Sequence, residues 1–429
     1  MPNALRRKKN AGCYHCGSCE HRARFCPTEK CRNCGGLGHN VGGCPSKSHP
    51  LVDLGLFHAA AINIGDSTAT RGSDLGNFTY AELFAGMGGF RVALDRLGGH
   101  CVFASETDRF CRQMYSKNFG GDRPAGDITQ ISSDQVPDHD LLVGGFPCQP
   151  FSSSGSRQGM NDQKGVLFRE ICRVLVVKQP KIFLLENVRG LLLHNDGDTL
   201  RLIVDELVQC GYRVVHQLID SRNLLPQERW RLYFAGIRRD IAAQNRPYDF
   251  PSLPMLSRGL RDIIHTKDGE KDQLKEDFQK LILSSRQLEK VRSQKYTLLY
   301  PEARFMVDLT RPAKTFQSSY SKYMVGSQFV PAGTGWRRFS TREAARLQGF
   351  PETFQLCSQR AYHMIGNAVA PPVVAMIVTP LLQKINPFMV SSNHLGWEIT
   401  KQLLLEASPN DYRRELLEQK LEQTNVGTA

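Results

Sequence analysis

One thiol in this chain is set up to act as a nucleophile. Cys148 lies in the run Gly144-Gly145-Phe146-Pro147-Cys148-Gln149-Pro150-Phe151-Ser152, directly after the apolar segment Leu141-Leu142-Val143. Two prolines fix φ around it and two glycines precede it, whereas a structural cysteine usually sits inside an apolar run. A second group of residues suits a nucleoside. Residues 78 to 84 are strand-like and lead into Ala85-Gly86-Met87-Gly88-Gly89-Phe90, with helical character from 91 to 97. A glycine-rich turn between strand and helix lets backbone approach a ligand, and the helix start offers free N–H donors. Glu106 ends the next apolar stretch, about twenty residues past the glycines, where a carboxylate can accept both hydroxyls of a ribose. Gly126-Asp127-Ile128 adds a carboxylate at the end of a third strand, and residues 181 to 185 read as a buried strand capped by Glu186-Asn187-Val188.

These residues fall at the carboxyl ends of successive strands, the edge at which open α/β sheets bind ligands. A cysteine beside a carboxylic acid suits attack on carbon 6 of a cytosine, with the acid at ring N3 and the exocyclic amine, so that negative charge develops at carbon 5. The ordered set Phe84 to Phe90, Phe146 to Ser152, Glu186-Asn187-Val188, Gln227-Glu228-Arg229-Trp230-Arg231 and Gly366-Asn367-Ala368-Val369 resembles the cytosine-5 methyltransferase family over about residues 78 to 382. The resemblance implies S-adenosyl-L-methionine as methyl donor, Cys148 as covalent nucleophile and Glu186 at the cytosine N3 edge. Arg229 and Arg231 would organise the flipped base and the catalytic loop. Phe84, Gly86, Met87, Gly88 and Gly89 would line the methionine side, Glu106 the ribose, and Asp127 and Ile128 the adenine. Pro147, Leu167, Asn367 and Ala368 would complete that pocket. The fold implied is a Rossmann-like α/β domain with a mostly parallel sheet and helices on both faces.

Seven of the thirteen cysteines lie between residues 13 and 44. Cys13-x2-Cys16-x4-His21-x4-Cys26 is followed by Cys31-x2-Cys34-x4-His39-x4-Cys44, the same spacing twice. Three thiolates and one imidazole form a closed tetrahedral shell, so two Zn²⁺ are expected in a small zinc-binding N-terminal arm. The pattern resembles the zinc knuckle, which is associated with single-stranded nucleic acid. Residues 1 to 50 hold nine Lys or Arg against two Glu, a formal +7 within a total of +13, which favours a polyanionic partner.

The organisation expected is zinc knuckles at 1–50, a linker at 51–76, a catalytic domain at 77–238 and 331–385, a target-recognition region at 239–330 and a helical tail at 386–429. The tail is expected to pack on the catalytic domain. No apolar stretch near the ~20 residues needed to cross a bilayer is expected, and Arg6-Arg7-Lys8-Lys9 is unlike a secretion signal. A soluble intracellular protein follows, in the nucleus or alternatively the cytoplasm. The substrate polymer is expected to be DNA; the alternatives are a tRNA-like RNA substrate or a catalytically idle nucleic-acid-binding homologue. Residues 146 to 152 look like the DNA-modifying form, while 316 to 325 are similar to the Tyr-rich recognition segment of a tRNA-methylating branch. That branch's Cys-Phe-Thr tripeptide is absent, and Thr315-Phe316-Gln317 stands in its place.

Overall fold

The computed structural model describes residues 77–147, 165–264, 278–292, 307–322, 327–356, 360–386 and 392–426. Cys148 and the expected zinc ligands Cys13, Cys16, His21, Cys26, Cys31, Cys34, His39 and Cys44 lie outside the described residues. The first half alternates strand and helix: β1 (Phe78–Leu83), α1 (Gly89–Arg96), β2 (Gly99–Ser105), α2 (Arg109–Asn118), β3 (Leu141–Gly145), α3 (Gly165–Lys178), β4 (Ile182–Val188) and α4 (Asp198–Gln209). Then come β5 (Tyr212–Asp220), β6 (Gln227–Glu228) and β7 (Trp230–Arg238).

The central sheet has the order β2-β1-β3-β4-β7-β5. The first four strands are parallel, and β7 runs antiparallel to both β4 and β5. This is the mostly parallel Rossmann-like sheet expected. Side chains alternate across it, as a strand's two-residue period requires. Tyr80, Leu141, Val143, Ile182 and Leu184 enter one apolar core with α1 and α2. Ala81, Leu83, Leu142, Phe183 and Leu185 enter the other, under Phe168, Ile171 and Val174 of α3 and Ile203 and Leu207 of α4. From β1 the chain steps to β2 on one side, then crosses to β3 on the other. A topological switch point therefore opens between the carboxyl ends of β1 and β3.

The later chain closes the first core. Its elements are α5 (Arg239–Gln244), α6 (Ser285–Arg292), β8 (Ala313–Lys314), β9 (Val330–Ala332), β10 (Gly335–Arg337), α7 (Thr341–Leu347), α8 (Ala361–Asn367), α9 (Pro371–Leu382), α10 (Ser392–Glu406) and α11 (Asp411–Val426). Within the stretch read as target recognition, Tyr248, Leu260, Ile263, Ala313 and Phe316 bury in the same core as α9, and β8 pairs in parallel with β6. Tyr320, read above as part of a recognition segment, is a core residue instead. It is 2% exposed, its hydroxyl donates to the Gln328 carbonyl and accepts from Phe339 N–H, and a buried ring with both partners in place has no free polar tip to offer a substrate. The tail helix α10 packs on α9, as expected, and buries Leu403 and Leu404. Residues Ala361–Leu382 are together long and apolar enough to cross a bilayer, contrary to the expectation from sequence. Most of that stretch is buried inside the protein, where the same composition serves a core helix.

Candidate active site

The turn after β1 is built from backbone conformations that side chains resist. Gly86 has φ 56° and Gly88 φ 89°, and Phe84 also takes a positive φ of 56°. A Cβ on Gly86 would meet no atom within 4 Å, so space lies open over the turn. Gly88 caps α1, Met87 is buried, and Gly89 starts the helix so close to Val369 that a Cβ would lie 2.8 Å from its Cγ2. Glu106, just past β2, accepts from the Gly86 N–H at 2.8 Å through one carboxylate oxygen and from the Asp108 N–H at 2.7 Å through the other. Asp108 in turn caps α2 by accepting from Phe110 and Cys111 N–H. Asp127 does not end a third strand, as the sequence suggested, but caps a short 3-10 turn at Ile128–Gln130 by accepting from Thr129 N–H, while Ile128 is buried in the second core. Leu167 is half-buried in the first turn of α3.

Across the switch point, β3 ends in Gly145 and runs through buried Phe146 to exposed Pro147. Glu186 sits opposite Gly145 on one side and Tyr233 on the other. It is 7% exposed, and its Oε1 pairs with Arg231 Nε at 2.8 Å. Burial pushes the Glu186 carboxyl above the usual range even with Arg231 and Arg229 opposing the shift. Asn187 ties this strand to the residue after β3, its Nδ2 donating to the Phe146 carbonyl at 3.1 Å. Arg229 is 2% exposed and donates to three main-chain carbonyls, Phe316 at 3.3 Å, Gly366 at 3.0 Å and Ala368 at 2.8 Å. Asn367 is exposed at the end of α8, with Nδ2 3.4 Å from His363 Nε2, and Ala368 is buried behind it.

Two compact sets thus face the same sheet edge: Gly86 to Gly89 with Glu106, and Glu186 with Arg231 beside the end of β3. Residues 78–383 match the family model for C-5 cytosine-specific DNA methylase. The chain belongs to that family. It is 33% identical to the type II methyltransferase M.DsaV of Dactylococcopsis salina, over 80% of this chain and 97% of that protein. With the type II methyltransferase M.HhaI of Haemophilus parahaemolyticus it shares 30% identity, over 72% of this chain and 95% of the relative. The crystal structure of the S. pombe Dnmt2 methyltransferase superposes with a TM-score of 0.55 at 20% identity, covering 72% of this chain and 99% of that one, which is a likeness of fold.

Two residues near the site, Glu82 and Gln227, had no role assigned from the sequence, although Gln227 opens one of the motifs quoted. Glu82 lies inside β1, fully buried, accepting from the Tyr115 hydroxyl at 3.1 Å with its other oxygen unpartnered. Its signal was available: a carboxylate in an apolar strand immediately before the glycine turn. Gln227 is also fully buried, accepting from Phe316 N–H at 2.7 Å and donating to the Leu347 carbonyl at 2.9 Å. Its partners lie 89 and 120 residues away, so no local pattern announces them.

Proposed function

We infer that this chain transfers a methyl group from S-adenosylmethionine to carbon 5 of cytosine in DNA through a covalent cysteine adduct. The observation that carries the reading is Glu186, a buried carboxyl group held by Arg231 one strand away from the turn that leads to Cys148. S-adenosylmethionine, when bound, supplies an electrophilic methyl group on a sulfonium. The residues present fit it: the open positive-φ turn at Gly86 admits close approach, and Glu106 is fixed beside that turn by two main-chain donors. Cys148 supplies the thiolate that bonds to carbon 6, and the electron pair displaced onto carbon 5 makes that atom the methyl acceptor. Loss of the carbon-5 proton then expels the thiolate and restores the ring. Glu186 in its acid form donates to N3 and draws charge off the ring as it develops. Arg231 fixes the orientation of that carboxyl.

Labelled S-adenosylmethionine offered with total DNA and total RNA side by side tests the substrate, with label expected in DNA. DNA carrying 5-fluorocytosine cannot lose its carbon-5 substituent as a proton and should trap a stable adduct mapped to Cys148. Cys148→Ser should keep cofactor and DNA binding while losing about 10⁴-fold or more in turnover. An adduct on another cysteine, or normal methylation by the serine variant, would refute the assignment.

For the N-terminal arm we propose two zinc-knuckle sites, on the strength of a complete tetrahedral donor set repeated at identical spacing. The arm adds affinity for nucleic acid without choosing the methylated base, because a tethered second contact raises effective concentration. Metal analysis of the full chain should find two zinc ions, and one after Cys31→Ser with Cys34→Ser. Deleting residues 1–50 should weaken DNA binding and leave the mapped methylation sites unchanged, and a changed set of sites would overturn this role.

A further inference from the structure

Arg229 was expected to work on the base, and its environment assigns it elsewhere. Both terminal nitrogens of its guanidinium are spent on main-chain carbonyls, and Nε is sealed from solvent without a hydrogen-bond partner. A guanidinium so enclosed cannot reach a base in the substrate cleft without abandoning those contacts. Two of the three carbonyls, Gly366 and Ala368, belong to the end of α8, where the last turn of a helix leaves acceptors unsatisfied. Gln348 covers the neighbouring Ile365 carbonyl at 3.1 Å. The third carbonyl, Phe316, belongs to a segment clasped on its other side by Gln227 and pressed against Gly366, where a Cβ would lie 2.3 Å from Ser318 N. Two residues further along the chain, Arg231 pairs with Glu186.

We propose that Arg229 is a positioning residue for the cofactor pocket: it clamps the turn at 366–368 onto the start of β7, so that the wall beside the cofactor and the arginine beside the base are set by one short piece of strand. The proposal rests on the reading that Asn367 and Ala368 border S-adenosylmethionine. Arg229 touches neither reactant. Its effect is on where Asn367 and Ala368 stand, and hence on cofactor affinity. Arg231, by contrast, acts through Glu186 on the chemical step. A lysine at 229 keeps the charge but lacks the planar fork that spans three acceptors, so it is only a partial substitute.

Calorimetric titration of S-adenosylmethionine into the full chain separates the two arginines. Arg229→Lys should weaken cofactor binding by about 3- to 10-fold and Arg229→Met by more than about 10-fold, as loss of one or several charged hydrogen bonds implies. Arg231→Met should leave cofactor affinity within about 2-fold and lower the rate at saturating cofactor instead. In steady state, Arg229→Lys should raise KM for the cofactor with kcat close to wild type. If Asn367→Ala weakens the cofactor and Arg229→Lys does not, the clamp is wrong and the cofactor reading stands. If neither does, the cofactor reading of that turn falls and takes the clamp with it. Hydrogen exchange on the unaltered chain needs no variant: cofactor should protect amides of 362–370 and of 227–232 together, and protection of the first without the second would overturn the proposal.

Discussion

The two halves of the substrate-facing edge are built from different materials. On the cofactor half, carboxylates are held by main-chain N–H groups close in sequence: Asp108 by residues 110 and 111, Asp127 by 129, Glu106 by 108 and, twenty residues back, by Gly86. On the base half, a buried carboxyl is held by a side chain from another strand, Glu186 by Arg231, and the buried Arg229, which ties that strand to the cofactor wall, is held by carbonyls 87, 137 and 139 residues away. Main-chain donors survive every substitution except proline and impose geometry without carrying a full charge. Buried ion pairs carry charge into the place where a reaction must stabilise it, and removing one partner leaves an uncompensated charge behind. The cofactor half is therefore suited to holding a constant ligand, and the base half to changing protonation and charge during turnover.

The contrast breaks hardest at Glu186. Glu186→Gln keeps the shape and can still donate an N–H to N3, but it carries no charge to pair with Arg231 and cannot release a proton. We expect the single-turnover methylation rate to fall by about 10²- to 10⁴-fold with DNA binding preserved, the range of acid–base assistance. Because burial holds the Glu186 carboxyl above its usual range, the acid form persists to higher pH than for a free glutamate, and the wild-type rate should fall as pH rises through that elevated value. A rate in Glu186→Gln equal to wild type would show that the carboxyl only shapes the pocket.

Glu82 tests whether the cofactor half hides a charge of its own. Burial pushes its carboxyl from the ordinary range up to about 8, while the Tyr115 hydroxyl and Arg91 pull it down and Asp95 and Glu106 push it up. Tyr80 and Cys101 belong to the same cluster, the first hydrogen-bonded to Asp95 and the second 3.6 Å from the Tyr115 hydroxyl. The folded protein keeps a proton that the unfolded chain releases above about pH 4.5. Stability from this group is complete below that pH, declines as pH rises toward 8, and is flat beyond. Glu82→Gln cannot titrate and retains an acceptor for Tyr115. At pH 8.5 it should be more stable than wild type by about 2 to 3 kcal/mol, with the difference shrinking by pH 5. Parallel melting curves for the two proteins across that range would mean Glu82 ionises freely in the fold.

The same division explains what could be read in advance. The sheet, the glycine turn and Glu106 were legible because strand period, positive φ and short spacing are local properties of the chain. The base half announced its residues only as a set in a family's order, and the residues said nothing about their partners. Arg229 illustrates the gap: Gln-x-Arg-x-Arg names it, but its three carbonyls come from two later segments whose return to β7 is decided by packing of Phe316, Tyr320 and Tyr362 in the common core. The similarity of residues 316 to 325 to a recognition segment likewise gave no sign that Tyr320 is buried in the common core. Helix α9 was underestimated because its apolar run is continuous only when Ala361 to Asn367 is added to it.

The smallest expected effects set local capping against long-range pairing at a single residue. Asp108 accepts from two N–H groups at the start of α2 and also pairs with Arg360, 252 residues away, at 2.8 Å. Arg360 is 45% exposed and also stands 5.4 Å over the Phe110 ring, so solvent weakens its charge while the ring keeps the guanidinium in place. Asp108→Ala removes cap and pair together and should cost about 1 kcal/mol, most of it from the orphaned donors. Asp108→Asn keeps an acceptor at the cap and should cost only about 0.3 kcal/mol. Arg360→Gln removes the pair alone and should cost no more than about 0.5 kcal/mol, falling toward zero in high salt. Denaturant melts of the three variants at low and high salt order these terms. If Arg360→Gln proved as costly as Asp108→Ala, the long-range pair would be holding the cofactor half together, and the division between its local hydrogen bonds and the buried charges across the switch point would fail.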